Sequence, residues 1–244
     1  MANSADMNFL NVCRRHLDIF KAEGRWNPSN TRLVLTALEA KLDGGYPIAE
    51  DVLEKFAANQ IVVNNRQDSY AKIEPFAKSA RRYLRSCGAT EAEIEDGNRY
   101  INALLGQVKK KPKVIGNTEG NAAQATETHA KAQLSYDAQY ANLQAFRAFA
   151  ANVTAWQPNE DNLKLTAIDA LIDECGGGNN AVSAGFVPLS TAWNTRDEKL
   201  YTDDDSVLED FRLAKDYYKV LYEPKDPQYK TVTAKDMRLQ DNSR

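Results

Sequence analysis

The chain has 244 residues, 27% charged and 43% hydrophobic, and a net charge of −3; this is the composition of a globular protein, not of a disordered or membrane-embedded one. No stretch approaches the roughly 20 consecutive apolar residues that a membrane span needs, and the opening MANSADMNFL lacks the basic and apolar regions of a secretory leader. Residence in the cytoplasm and no membrane association are therefore expected.

Helical spacing runs through the whole chain. Phe9, Cys13, His16 and Phe20 step by three and four, as a helix with one apolar face requires. A second helix is expected to begin near Pro28, where proline is tolerated in a first turn. It should bury Leu35, Leu38 and Leu42 and end at Gly44-Gly45, because glycines commonly cap helix C-termini. A third helix runs from about Ile48 to Tyr70. A fourth carries Ile73, Ala77, Ala80, Leu84 and Cys87, and a fifth starts at a Thr90/Glu93 capping box. From Gly106 to about Lys131 large apolar residues are sparse, and the segment reads as a linker.

The pattern then returns. Tyr136, Tyr140, Leu143, Phe146, Phe149 and Val153 line a helix; the next begins near Pro158, buries Leu165, Ile168 and Ile172, and is expected to end at Gly176 to Gly178. Another runs from about Asn180 to Tyr201, with Pro188 expected to kink it. Val207, Phe211, Ala214, Tyr218 and Leu221 line the last, with Ser206 as its N-cap. The closing EPKDPQYKTVTAKDMRLQDNSR reads as an extended polar tail.

The two halves also match residue by residue. WNPSNTRLVLTALEAKLD (26–43) and WQPNEDNLKLTAIDALID (156–173) share eight of eighteen positions, where average usage predicts about one. The offset is 130 residues, and four more are inserted before the last helix. The expected fold is all-α: two tandem antiparallel four-helix bundles related by internal duplication. The first spans 1–108, with its extra fifth helix at about 90–107; then follow a linker at 109–131, the second bundle at 132–223 and the polar tail at 224–244. Cys13 and Cys87 align with Leu143 and Leu221 and read as small buried hydrophobes; Cys175, before Gly176, is expected to be exposed.

Polar residues kept in both halves are the candidate site. Asn64-x-Arg66 recurs as Asn194-x-Arg196. If the chain turns back at residue 45, Arg66 comes level with Trp26, and by the same count Arg196 with Trp156. Each arginine is then expected to stack on its tryptophan and reach the last carbonyls of the first helix. The corner is a structural clamp, or else an anion or peptide site. A second set, Arg81, Arg82 and Arg85 with Lys109, Lys110, Lys111 and Lys113, supplies candidate phosphate contacts, which would be non-specific and salt-sensitive. Residues 1–113 carry 18 Lys/Arg against 14 Asp/Glu, and the remainder 13 against 20. Tyr217, Tyr222 and Tyr229 are candidate protein contacts.

Other chemistry is poorly represented. His16 aligns with Phe146 on an apolar face, His129 lies in the linker, and neither belongs to an ExxH motif. Gly176 to Gly178 has neither a preceding strand nor a following GK[ST]. Asp203 to Asp205 lacks the alternation of an EF-hand, and three cysteines without a CxxC pair argue against a disulfide framework or zinc site. No catalytic residue, metal or cofactor is assigned.

Pro158-Asn159, Leu165-Thr166-Ala167, Asn194-Thr195-Arg196 and Pro227-Gln228-Tyr229-Lys230 resemble segments of uncharacterised helical bacterial proteins of the Bacteroidetes type. Those carry a PN…L…LTA second helix, an N-x-R in the third and a closing PQYK. The resemblance spans most of both halves and implies no activity. The reading favours a non-catalytic helical interaction or structural module, or a subunit of a larger assembly, that engages a protein partner or itself. A weak nucleic-acid binder using the basic first half is the alternative, and an enzyme of unknown class the third.

Overall fold

The computed structural model describes residues 3–107 and 135–233, and these form helices without any β-strand. In chain order they are α1 (Asn3–Lys21), α2 (Leu35–Ala71), α3 (Ile73–Ser86), α4 (Glu91–Leu104), α5 (Tyr136–Asn152), α6 (Leu165–Arg196), α7 (Val207–Val220) and α8 (Pro227–Thr233). Among the described residues no helix is long and apolar enough to cross a membrane.

Local chemistry accounts for most of the ends. The Thr90 hydroxyl accepts from the Glu93 N–H while the Glu93 carboxylate accepts from the Thr90 N–H, completing the expected capping box of α4. The Ser135 and Ser206 hydroxyls cap α5 and α7 by accepting from the Ala138 and Glu209 N–H groups. Gly88 and Gly106, at φ of 84° and 67°, follow α3 and α4; they take the left-handed conformation that ends a helix at low steric cost.

The glycines expected to end helices do not. Gly44-Gly45 lies inside α2, and Gly176, Gly177 and Gly178 lie inside α6, so the expected second and third helices of each half are one long helix. Leu42, Gly45, Ala49 and Val52 are all buried on one face of α2, and this unbroken stripe carries the helix through the glycine pair. Gly45 is there for closeness: a Cβ on it would stand 2.9 Å from the Leu10 Cδ2 methyl. Gly178 likewise lets α6 approach the backbone of Arg66, 3.3 Å from where its Cβ would be. The starts also differ from expectation. After Pro28 and Pro158 the chain makes 3-10 turns, Thr31–Leu33 and Asp161–Leu163, before the long helices begin at Leu35 and Leu165. At the C-terminal end, 227–233 is helical and not extended, with Pro227 at the first position, where its missing N–H costs nothing.

The chain divides into two compact units, residues 1–60 with 184–244 and residues 61–183. These are not the expected tandem bundles at 1–108 and 132–223. Because α2 and α6 do not turn back, the first unit takes α1 and the start of α2 from the first half of the chain, and the end of α6 with α7 from the second. The second unit takes the end of α2 with α3 and α4, then α5 and the start of α6. Each core is therefore mixed. Leu10, Phe20, Leu38 and Leu42 are buried with Leu208, Phe211 and Tyr218 in one; Phe76, Leu84 and Ile101 are buried with Leu143, Phe146 and Ile168 in the other. The four inserted residues fall between Arg196 and Val207, where α6 closes in a π-helical stretch, Asp197–Thr202. The corresponding step in the first half passes from Ala71 to Ile73 with one residue between.

Candidate functional site: the recurring arginines and their partners

Trp26 and Trp156 do the same thing in their own units. Each indole N–H donates to the carbonyl that ends the following 3-10 turn, Leu33 at 3.0 Å and Leu163 at 3.2 Å. Trp26 stacks on Phe20 with centroids 4.5 Å apart and meets Tyr217 edge-on at 5.0 Å. Trp156 is met edge-on by Tyr83 and Phe146. The expected Trp–Arg pairs fall in different units: Trp26 and Arg196 in the first, Trp156 and Arg66 in the second. The physical reason is the continuity of α2 and α6, which carries each arginine onward instead of folding it back.

Each arginine instead meets the start of a helix from the opposite half. Arg66 places its guanidinium over the Tyr136 ring, 4.1 Å from the centroid. Arg196 lies 3.4 Å from Asp6 and hydrogen-bonds Asp197 at 2.7 and 3.0 Å, while the Tyr201 hydroxyl donates to Asp6 at 2.6 Å. Arg66 and Arg196 are 130 residues apart, and so are Asp6 and Tyr136. One position thus takes a carboxylate in one unit and an aromatic ring in the other. Asn64 and Asn194, the other members of the recurring pair, are exposed.

The first cluster is dry. Asp6 and Arg196 retain 1% and 5% of their exposure. Burial works against the charged Arg196, but the Asp197 hydrogen bonds and the charges of Asp6 and Asp197 outweigh it and hold the guanidinium above its ordinary pKa. Burial, reinforced by Asp6, pushes the Tyr201 phenol far up. The arrangement is a closed ion pair with a phenol donor, suited to fixing a helix start more than to exchanging protons with solvent.

A second polar cluster in the first unit joins the Thr31–Leu33 turn and α2 to α7. The Asp210 carboxylate, 3% exposed, takes Arg32 and lies 3.5 Å from Lys41. Lys41 also reaches Asp205 at 3.3 Å, Lys199 pairs with Asp203 at 2.9 Å, and Arg32 donates to the Asp204 carbonyl at 2.5 Å. Asp203 and Asp205 are thus paired with cations of the chain, and Asp204 is held through its carbonyl. In the second unit Glu174 accepts from Lys72 at 2.5 Å and Ser69 at 3.1 Å, and its pKa is lowered chiefly by the Lys72 bond. Asn179 donates to the Tyr70 hydroxyl at 2.8 Å. The positions matched to Arg32, Lys41 and Asp210 are Asn162, Leu171 and Phe76. They line an open groove of about 400 Å³.

The remaining candidates separate. Arg81 turns to Asn102, 2.6 Å away, while Arg82 and Arg85 are exposed; Lys109, Lys110, Lys111, Lys113 and His129 lie outside the described residues. Of the tyrosines, Tyr217 accepts from the Asn27 N–H, Tyr222 bonds Glu23 and lies under Arg25, and Tyr229 is half-buried on α8. His16 is buried, with Nδ1 donating to the Val12 carbonyl. Cys175 is buried, not exposed, because it sits on the inner face of a helix that continues past it. Among the described residues no group of three His, Cys, Asp or Glu could hold a metal ion.

Sequence reasoning passed over Asp6, Tyr201, Arg32, Lys41 and Asp210. Asp210 had a legible signal. It stands three residues after Val207 and four before Ala214, on the apolar stripe of α7, where a carboxylate needs a cation. Comparison with protein-family models, curated proteins and solved structures finds no match to this chain.

Proposed function

We propose that this chain is a non-catalytic helical module that acts by holding and presenting surfaces to a protein partner or to itself. One observation carries the reading. The polar and aromatic residues that recur at the 130-residue offset are spent on internal packing: both indoles on a turn carbonyl, both arginines on a helix start from the opposite half. An ancestral duplication whose halves then exchanged partners accounts for that correspondence, and for the matched bounds of α3 and α7. The resemblance to Bacteroidetes-type helical proteins is compatible with it. The basic groups of the nucleic-acid alternative are divided, with Arg81 turned inward and Arg82 and Arg85 on the surface.

Sedimentation over a wide concentration range, with and without single- and double-stranded nucleic acid, tests the proposal. A mass that rises with protein concentration and little with nucleic acid supports it. Nucleic-acid affinity that collapses between about 50 and 200 mM salt would replace it with the alternative.

A further inference from the structure

Inside each unit, the interface runs between the first half of the chain and the second. In the first unit Asp6 meets Arg196, Arg32 and Lys41 meet Asp210, and the Asn27 N–H meets Tyr217. In the second, Lys72 meets Glu174, Arg66 meets Tyr136, and Phe76 meets Phe146 at 5.6 Å. The matched positions are not interchangeable. Pairing two first halves would set Arg32 and Lys41 against Phe76. Pairing two second halves would set Asp210 against Asn162 and Leu171, leaving a buried carboxylate without a cation, which is strongly unfavourable. Only a first half with a second half satisfies every one of these groups, and rejection of the like pair is how such interfaces gain specificity.

We propose that residues 1–107 and 135–233 recognise each other in trans as well as in cis, so that the partner of this surface is a second copy of the chain, engaged by reciprocal exchange of halves. The inference rests on the interaction-module reading and names its partner. The same surfaces meet in both states. What favours the closed monomer is the effective concentration set by the 27 residues from 108 to 134, so exchange is expected when the chains are unfolded and refolded together at high concentration.

The test uses the full chain. Equal amounts of unlabelled and ¹⁵N-labelled protein are mixed, taken through mild denaturant and back at high concentration, and treated with a carbodiimide. This reagent joins an amine directly to a carboxylate, so it reads Lys41–Asp205 and Lys72–Glu174, 3.3 and 2.5 Å apart. Dimers in which about half of these cross-linked peptides carry both isotopes are expected, as random exchange requires. In one chain R32E with K41E sets acids against Asp210, and in another D205K with D210K sets bases against Arg32. Their equimolar mixture should form a dimer roughly tenfold tighter or more than either forms alone, because exchange between them restores opposite charges.

Cross-links that stay within one isotope after complete refolding overturn recognition in trans while leaving the module reading intact. So does a mixture of the two charge-reversed chains that dimerises no more than either alone. Should either charge-reversed chain not fold, the isotope mixing of the intact chain decides alone.

Discussion

Gly44 and Gly97 respond to the same substitution in opposite directions. A Cβ on Gly44 meets nothing within 4 Å, and the residue is exposed inside α2. Gly44→Ala should therefore stabilise by about 0.5–1 kcal/mol in urea unfolding, the usual gain of alanine over glycine in a helix interior. A destabilised variant would mean that the residue ends a helix at positive φ after all. On α4, a Cβ at Gly97 would come within 2.3 Å of Leu84 and 2.8 Å of Phe149. Overpacking there costs about 1–3 kcal/mol, which exceeds the propensity gain, so Gly97→Ala should lower stability. The thiols differ as sharply. Burial pushes Cys175 up to about 11 and Cys13 higher still, whereas Cys87 is half-buried. Native alkylation at pH 8, followed by mass spectrometry, should modify Cys87 first and the other two only as the protein unfolds.

At the scale of the helix, the Asp6–Arg196–Tyr201 cluster fixes the start of α1 against the end of α6. Arg196→Met leaves a carboxylate that is 1% exposed without its cation; removing one partner of a buried pair costs about 3–5 kcal/mol. Urea unfolding should show a loss of that size, and the triple variant D6L/R196M/Y201F should recover part of it, because an apolar replacement leaves no charge to bury. Equal losses in the single and triple variants would show that packing, and not charge, holds this end. The helical class, the boundaries of α3, α4 and α7, and the caps at Thr90 and Ser206 were legible because each depends on residues three or four apart. The continuity of α2 and α6 was not. Paired glycines have the same local signature whether they end a helix or admit a neighbour, and only Leu10, 35 residues before Gly45, distinguishes the two. The candidate site suffered in turn: the Trp–Arg corner assumed the turn at residue 45, whereas the recurrence of both residues was itself a sound guide to where packing is demanding.

For the molecule as a whole, pH acts through carboxylates bonded to cations and through buried phenol and thiol groups. Lys72 lowers Glu174, Lys41 lowers Asp205, and Arg147 lowers Asp169, chiefly by hydrogen bonds. A carboxylate whose folded pKa is depressed contributes stability in full above its ordinary value, 4.5 or 3.8 here. That contribution is lost as pH falls through the depressed one. The thermal midpoint should therefore fall below about pH 4. Tyr201, Cys13 and Cys175 have raised values. Their contribution is complete below the ordinary 9.0 and 10.0 and declines as pH rises beyond. A plateau between these limits is expected in a melting series, and a midpoint that is flat from pH 3 to 11 would contradict both assignments.

The uninterrupted course of α2 gives one more consequence. Its residues up to Gln60 belong to one compact unit and those from Ile61 to the other, so one helix samples two opening reactions. Deuterium uptake along it should step near Gln60–Ile61 instead of varying smoothly, with the height of the step equal to the difference in local unfolding free energy.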